Sequence, residues 1–93
     1  MFFVYILYSK DYDKYYVGHT NNIKRRLIEH NSEEFDHYYT SKYKPWEVKL
    51  TYEIEKKALA MRLEKFIKKQ KSRKFINKII ENPSILDEIL TGL

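Results

Sequence analysis

Five side chains in this 93-residue chain are of types that can hold phosphate and move protons: Tyr5, Tyr16, Arg26, His30 and Glu64. Arg26 and His30 stand four residues apart in a stretch that reads as helix, so they stack on one side of it. With Ile23 and Leu27 as the buried direction, both are expected at the border of the buried face, where an arginine can fork onto a phosphate. The plainer reading makes Arg26 a surface charge and His30 a C-terminal residue favoured by the helix dipole. Glu64 is the only acid among ten basic residues in residues 56–78. It can pair with lysines, or it can serve magnesium, which prefers hard oxygen donors and often takes one or two carboxylates plus waters and substrate phosphate. Tyr5 and Tyr16 flank a turn. Their side chains share a face only if the hairpin pairs residues whose numbers sum to an odd number, as with Tyr5 opposite Gly18. Gly18 would then leave space beside the Tyr5 ring, and His19 would stand at the edge of the site. On spacing alone, both tyrosines read equally well as ordinary strand aromatics.

The elements that must position these groups follow from hydrophobic patterning. Residues 2–8 are continuously apolar, β-branched or aromatic, the mark of a central strand covered on both faces. A polar turn over 9–14 leads to a second strand over 15–20, making a hairpin. Asn21 and Asn22 offer an N-cap to a helix over 23–30. A polar stretch over 31–44, closed by Pro45, reads as an irregular and mobile surface loop. Trp46, Val48, Leu50, Tyr52 and Ile54 then alternate with polar residues, predicting a half-buried strand with those five on one face. Leu59, Leu63, Phe66 and Ile67 recur at helical spacing within 56–71. Ser72 caps a further helix whose buried stripe is Phe75, Ile76, Ile79 and Ile80. Pro83 suits the first turn of a short last helix. The fold class is therefore α+β, a small three-stranded antiparallel sheet flanked by helices, in the order β-β-α-β-α-α with a short C-terminal helix.

Composition sets the bounds. A chain of this length makes one small core, with residues 1–82 as the domain and 83–93 as its helical tail. An apolar share of 43% and a charged share of 33% suit a soluble globular domain. No apolar run approaches a membrane span, and residues 2–8 lack the flanks of a signal peptide. The absence of cysteine excludes thiolate chemistry and disulfides, and makes a cytoplasmic location the default expectation. With only two glycines, a glycine-rich phosphate loop is excluded. The net charge of +5 conceals a segment over 56–78 that carries +9. Such a concentration points to a polyanion partner, against the alternative of a solvated lysine-rich face.

Taken together, Val4-Tyr5-Ile6, Tyr16-Val17-Gly18, Arg25-Arg26-Leu27 with His30-Asn31, Thr40, Pro45-Trp46 and Arg62-Leu63-Glu64-Lys65 resemble the GIY-YIG nuclease domain, in particular its small standalone bacterial members. The resemblance covers roughly residues 2–80. Phe3-Val4-Tyr5 departs from the glycine of the first triplet but keeps its tyrosine. The resemblance implies a metal-dependent endonuclease that hydrolyses phosphodiester bonds in nucleic acid, DNA rather than RNA, with Mg2+ (or Mn2+) as cofactor. It implies Tyr5 as general base, Tyr16 hydrogen-bonded to it, Arg26 on the phosphate, His30 as a possible proton relay and Glu64 as the metal ligand. A phenol's reference pKa of about 10 makes Tyr5 an unusual base, and nearby Arg26 and the metal are expected to favour its ionised form. The family's asparagine beyond the glutamate helix finds its nearest counterpart in Asn77.

Arg25, Lys65, Lys68, Lys69, Lys71, Arg73 and Lys74 are expected to hold the nucleic-acid backbone without reading its sequence. Tyr38, Tyr39 and Tyr43 can stack on exposed bases or pin the loop to the domain. A monomer without membrane contact is the default. Two rival readings remain at this level: a non-catalytic nucleic-acid binding module on the same fold, and a basic protein that contacts an acidic partner surface.

Overall fold

The computed structural model describes residues 1–32 and 39–93, the side chain of Tyr39 apart. The elements are β1 (Phe2–Ser9), β2 (Lys14–Thr20), α1 (Ile23–Asn31), a 3-10 turn (Tyr39–Tyr43), β3 (Glu47–Ile54), α2 (Lys57–Gln70), α3 (Arg73–Glu81) and α4 (Ile85–Thr91). The strands form one antiparallel sheet in the order β2-β1-β3. The continuously apolar segment is thus the central strand, as its composition predicts. Asn22 caps α1 by accepting from the Arg25 amide at 3.0 Å, and Ser72 caps α3 through the Phe75 amide at 3.1 Å.

Helices cover both faces of the sheet. Val4, Ile6, Val17, Leu50 and Ile54 pack beneath Ala60, Leu63, Ile67, Ile79 and Leu86, a layer supplied by α2, α3 and α4. On the other face Tyr5, Leu7 and Trp46 pack with Tyr16, Ile23, Leu27, Tyr43 and Val48. This second, more aromatic layer is the one that contains the candidate chemistry.

Two expectations need correction. The five alternating residues of the third strand do not share a face, because the pairing shifts between Ile6↔Leu50 and Leu7↔Val48. Lys49 is the extra residue of this bulge, and it reverses the alternation. Trp46 and Val48 therefore join Tyr5, while Leu50 and Ile54 join the α2 layer. Nor is the end of the long loop a surface feature, since Thr40 and Ser41 are buried. The expected mobility of this loop and the stacking role of Tyr38 fall outside the described residues, as does the side chain of Tyr39. Tyr43 is pinned to the domain: its carbonyl accepts from Ser9 Oγ at 2.6 Å, and Lys14 Nζ lies 4.7 Å from its ring centre.

The hairpin register is Tyr5↔Gly18 and Leu7↔Tyr16. The paired numbers sum to an odd number, so Tyr5 and Tyr16 share a face. Gly18 does not need a positive φ. What it supplies is space, because a Cβ at this position would stand 2.5 Å from the Tyr5 hydroxyl oxygen and 2.6 Å from Cζ. Gly18→Ala should therefore displace a buried ring and lower the unfolding free energy by about 1–3 kcal/mol. Urea denaturation measures this, and an unchanged midpoint would contradict the close approach.

Candidate active site

Tyr5 is buried at the middle of β1, and its hydroxyl meets His30 Nε2 at 2.9 Å. The other ring nitrogen of His30, Nδ1, meets Thr40 Oγ1 at 2.6 Å. Thr40 is fixed in turn, its carbonyl accepting from the Trp46 indole Nε1 at 2.7 Å. Trp46 is held by Asn31, whose amide exchanges two hydrogen bonds with the Trp46 backbone at 2.6 and 3.1 Å. A strand centre, a helix end and the 3-10 turn thus meet at one imidazole, and Trp46, just before β3, holds the turn in place. Sequence periodicity put His30 at the border of the helix's buried face, whereas it is the one buried residue of α1.

This burial determines the protonation states. Desolvation, and then the charge of Arg26, push the His30 pKa down to about 4, so the ring is neutral at pH 7. Desolvation also raises the Tyr5 pKa far above that of an ordinary phenol, with Tyr16, Glu64 and Glu29 adding to the rise and Arg26 opposing it. The sequence-based expectation that Arg26 would favour the phenolate is thus outweighed by burial in the metal-free protein. Tyr5 is a neutral phenol bonded to a neutral imidazole. Nor does Tyr16 hydrogen-bond to Tyr5 as expected; their ring centres are 6.3 Å apart, and Tyr16 instead meets the His30 ring at a tilt of 58°, with the ring centres 5.0 Å apart.

Arg26 projects from the same helix, one turn before His30. Its NH1 lies 3.0 Å from Glu29 Oε1, near enough for charge attraction but without hydrogen-bond alignment, since Glu29 Oε1 has no such partner among the described residues. Arg26 Nε is shielded from water and likewise has no hydrogen-bond partner among them. A buried donor left unpaired is costly, and an anion would satisfy it. The Arg26 side chain also borders a cleft of about 170 Å³ lined by Phe2, Thr20 and Asn21 together with His19, Arg25 and Lys57.

Glu64 lies on the flank of α2, next to buried Leu63. Its Oε2 accepts from Lys68 Nζ at 2.7 Å, and its Oε1 lies 2.6 Å from His19 Nδ1. Lys68 Nζ in turn stands 5.6 Å from the Tyr16 ring centre. Among the described residues no group of three or more His, Cys, Asp or Glu could hold a metal ion. Any ion here would rest on Glu64 with at most one further protein donor, and the remaining positions would fall to water and substrate phosphate. That is the habit of magnesium, and the half-buried carboxylate fits it.

The basic residues divide. Lys65, Lys69, Lys71 and Lys74 are exposed. Lys57, Glu64 and Lys68 share one flank of α2, with Lys65 and Lys69 roughly 60–140° further round the helix. Arg25 is half-committed, its NH2 donating to Asn21 Oδ1 at 3.3 Å and its Nε 3.6 Å from Glu29. Arg73 is occupied elsewhere, donating to Asp13 Oδ1 at 2.7 Å and to the Asp13 carbonyl at 2.5 Å. Asn77 accepts from the Tyr15 hydroxyl at 2.7 Å. These two residues tie α3 to the hairpin. Sequence reasoning missed Thr40 as the partner of His30 and Lys57 as a wall of the cleft, because both contacts are made between segments distant in the chain.

The buried phenol–imidazole pair, the cleft lined by Arg25, Arg26 and Lys57, and the half-buried Glu64 carboxylate make up the candidate site on a helix-flanked three-stranded sheet. Residues 1–79 match the family model of the GIY-YIG catalytic domain. The chain belongs to this family, a nuclease-type domain that acts on nucleic acid. No curated protein and no solved structure matches it.

The neutral, buried state of His30 makes stability depend on pH with a definite sign. Above pH 6.5 the ring is neutral in both folded and unfolded chains and contributes no slope. As pH falls from 6.5 to about 4 the unfolded chain takes up a proton that the folded chain refuses, so stability is lost across that window. The loss from this one group is at most about 3 kcal/mol. Urea unfolding of the wild type and of His30→Gln at pH 7 and pH 4.5 isolates it: the difference between the two proteins should shrink on acidification. A constant difference would mean that His30 titrates normally.

Proposed function

We propose that this protein is a metal-dependent endonuclease that hydrolyses phosphodiester bonds of DNA, with Tyr5 and His30 acting together as the base. The observation that supports this best is the 2.9 Å bond between the Tyr5 hydroxyl and a His30 held neutral by burial. A phenol alone is a poor base near neutrality. Here Tyr5 can take a proton from the attacking water while passing its own to His30 Nε2, so no free phenolate is required. In the tautomer whose Nδ1–H donates to Thr40 Oγ1, a hydroxyl able to accept it, Nε2 is open to accept. Arg26, which lines the cleft, would turn its guanidinium charge to a non-bridging oxygen and offset the charge that builds there. Tyr16, packed on His30, walls the space in which the water sits. Attack forms the new P–O bond and expels the sugar oxygen, which takes a proton from solvent. A divalent ion on Glu64 would supply charge neutralisation at that leaving oxygen.

Arg25, Arg26 and Lys57 around the cleft would seat the phosphate at the reaction centre. Lys65, Lys69, Lys71 and Lys74 would hold the flanking backbone without reading sequence. Glu64 is paired with Lys68, so a metal ion would share its carboxylate with that lysine.

A cleavage assay on labelled single-stranded, duplex and flap DNA, with matched RNA, tests this in Mg2+ or Mn2+. Tyr5→Phe and His30→Gln should each lower the cleavage rate by about 10²–10⁴-fold while retaining DNA binding. Glu64→Ala should abolish metal-dependent cutting. Should the wild type bind DNA and cut nothing with either ion, the protein is a binding module on a nuclease fold. Cutting by Glu64→Ala at the wild-type rate would remove the metal from Glu64, and preference for RNA would reverse the substrate assignment. Binding should weaken steeply between about 50 and 200 mM salt, with a shallower dependence in Lys65→Ala/Lys69→Ala, as expected for lost phosphate contacts.

A further inference from the structure

Glu64 has a neighbour that the proton chain does not use. His19 follows Gly18 on β2, and strand alternation turns its side chain to the α2 face, away from Tyr5 and Tyr16. There its Nδ1 reaches Glu64 Oε1 at 2.6 Å, with the two side chains 26% and 18% exposed. Lys68 Nζ fixes the other carboxylate oxygen at 2.7 Å. One oxygen and one ring nitrogen are therefore held side by side on two different elements, and His19 also lines the cleft that contains Arg26.

Such a pair is close to the geometry of two adjacent ligands on one ion. With metal–ligand bonds of about 2.1 Å, neighbouring donors of an octahedral site stand about 3 Å apart. The pair would have to open by roughly a few tenths of an ångström, well within the freedom of two half-buried side chains. We propose that His19 Nδ1 and Glu64 Oε1 bind the divalent ion together, forming a mixed nitrogen and oxygen site that favours manganese over magnesium. The inference rests on the reading of Glu64 as the metal ligand. Magnesium is served by oxygen donors and water, whereas imidazole adds affinity for first-row transition ions. A carboxylate only accepts, so without metal the proton of the His19–Glu64 hydrogen bond sits on Nδ1. Coordination through Nδ1 would require the ring proton to reside on Nε2, which frees the Nδ1 lone pair, while Lys68 keeps Oε2.

The test uses the untagged full chain as wild type, His19→Gln, His19→Ala and Glu64→Gln, each checked for folding by circular dichroism. Calorimetric titration gives the affinities for Mn2+ and Mg2+, and pulsed electron paramagnetic resonance on bound Mn2+ detects a directly coordinated imidazole nitrogen. Wild type should show the nitrogen coupling, and both His19 variants should lose it. Their Mn2+ affinity should drop by about tenfold or more while Mg2+ affinity changes by less than about threefold. Glutamine keeps a donor for the Glu64 carboxylate but offers no ring nitrogen. Wild-type Mn2+ affinity in His19→Gln, or an absence of nitrogen coupling in the wild type, would show that His19 only orients the carboxylate and would overturn the proposal. If Glu64→Gln binds Mn2+ as tightly as wild type, the metal reading of Glu64 itself fails. Loss of binding in Glu64→Gln without nitrogen coupling in wild type removes His19 alone.

Discussion

The hydrogen-bonded line from Trp46 through Thr40 and His30 to Tyr5 is the constraint on which the active face depends. Each of these groups is buried and polar at one end, and each would be costly in the apolar layer without its partner. The indole donates to the Thr40 carbonyl, the threonine hydroxyl meets one imidazole nitrogen, and the other nitrogen meets the phenol. The same bonds that satisfy these groups also set their chemistry. Burial deep enough to keep His30 neutral is burial deep enough to keep Tyr5 protonated, so the two are held as a donor and acceptor rather than as an ion pair.

Delivering those groups to one layer requires two backbone devices. Gly18 opposite Tyr5 leaves room for the phenol to stand over β2, where any Cβ would collide with it. The bulge at Lys49 lets a single strand serve both layers. Before the bulge β3 sends Trp46 and Val48 to the aromatic side, and after it Leu50 and Ile54 go to the helical side. Without the shift Trp46 would point into the α2 layer and Thr40 would lose its anchor.

Charge is distributed with similar economy. Residues 56–78 carry +9, yet its members do different jobs. Arg73 closes the hairpin turn at Asp13, where it and the Tyr8 hydroxyl hold the carboxylate pKa below its usual value. Lys68 neutralises part of Glu64, while Lys65, Lys69, Lys71 and Lys74 stay in solvent. A cationic cleft is instead bordered by Arg25 and Arg26 of α1 with Lys57 from the start of α2.

Local rules carried the element order, because strand alternation, helical spacing and the caps at Asn22 and Ser72 act over a few residues. The central place of β1 followed from its unbroken apolar run, whereas the odd-sum register was only a condition for Tyr5 and Tyr16 to share a face, met by the pairing of Tyr5 with Gly18. The motif residues Tyr5, Arg26, His30 and Glu64 were legible as a set, whereas their partners were not. His30 with Thr40, His19 with Glu64 and Asn77 with Tyr15 join residues 10, 45 and 62 positions apart, distances over which sequence periodicity says nothing. The bulge, too, was invisible, since one inserted residue leaves the apolar alternation of β3 intact while reversing the face it describes. By itself the sequence determined which groups the protein has for phosphate chemistry. Tertiary structure alone decided their protonation and pairing, because desolvation and hydrogen-bond geometry arise only when distant segments close over the same small volume.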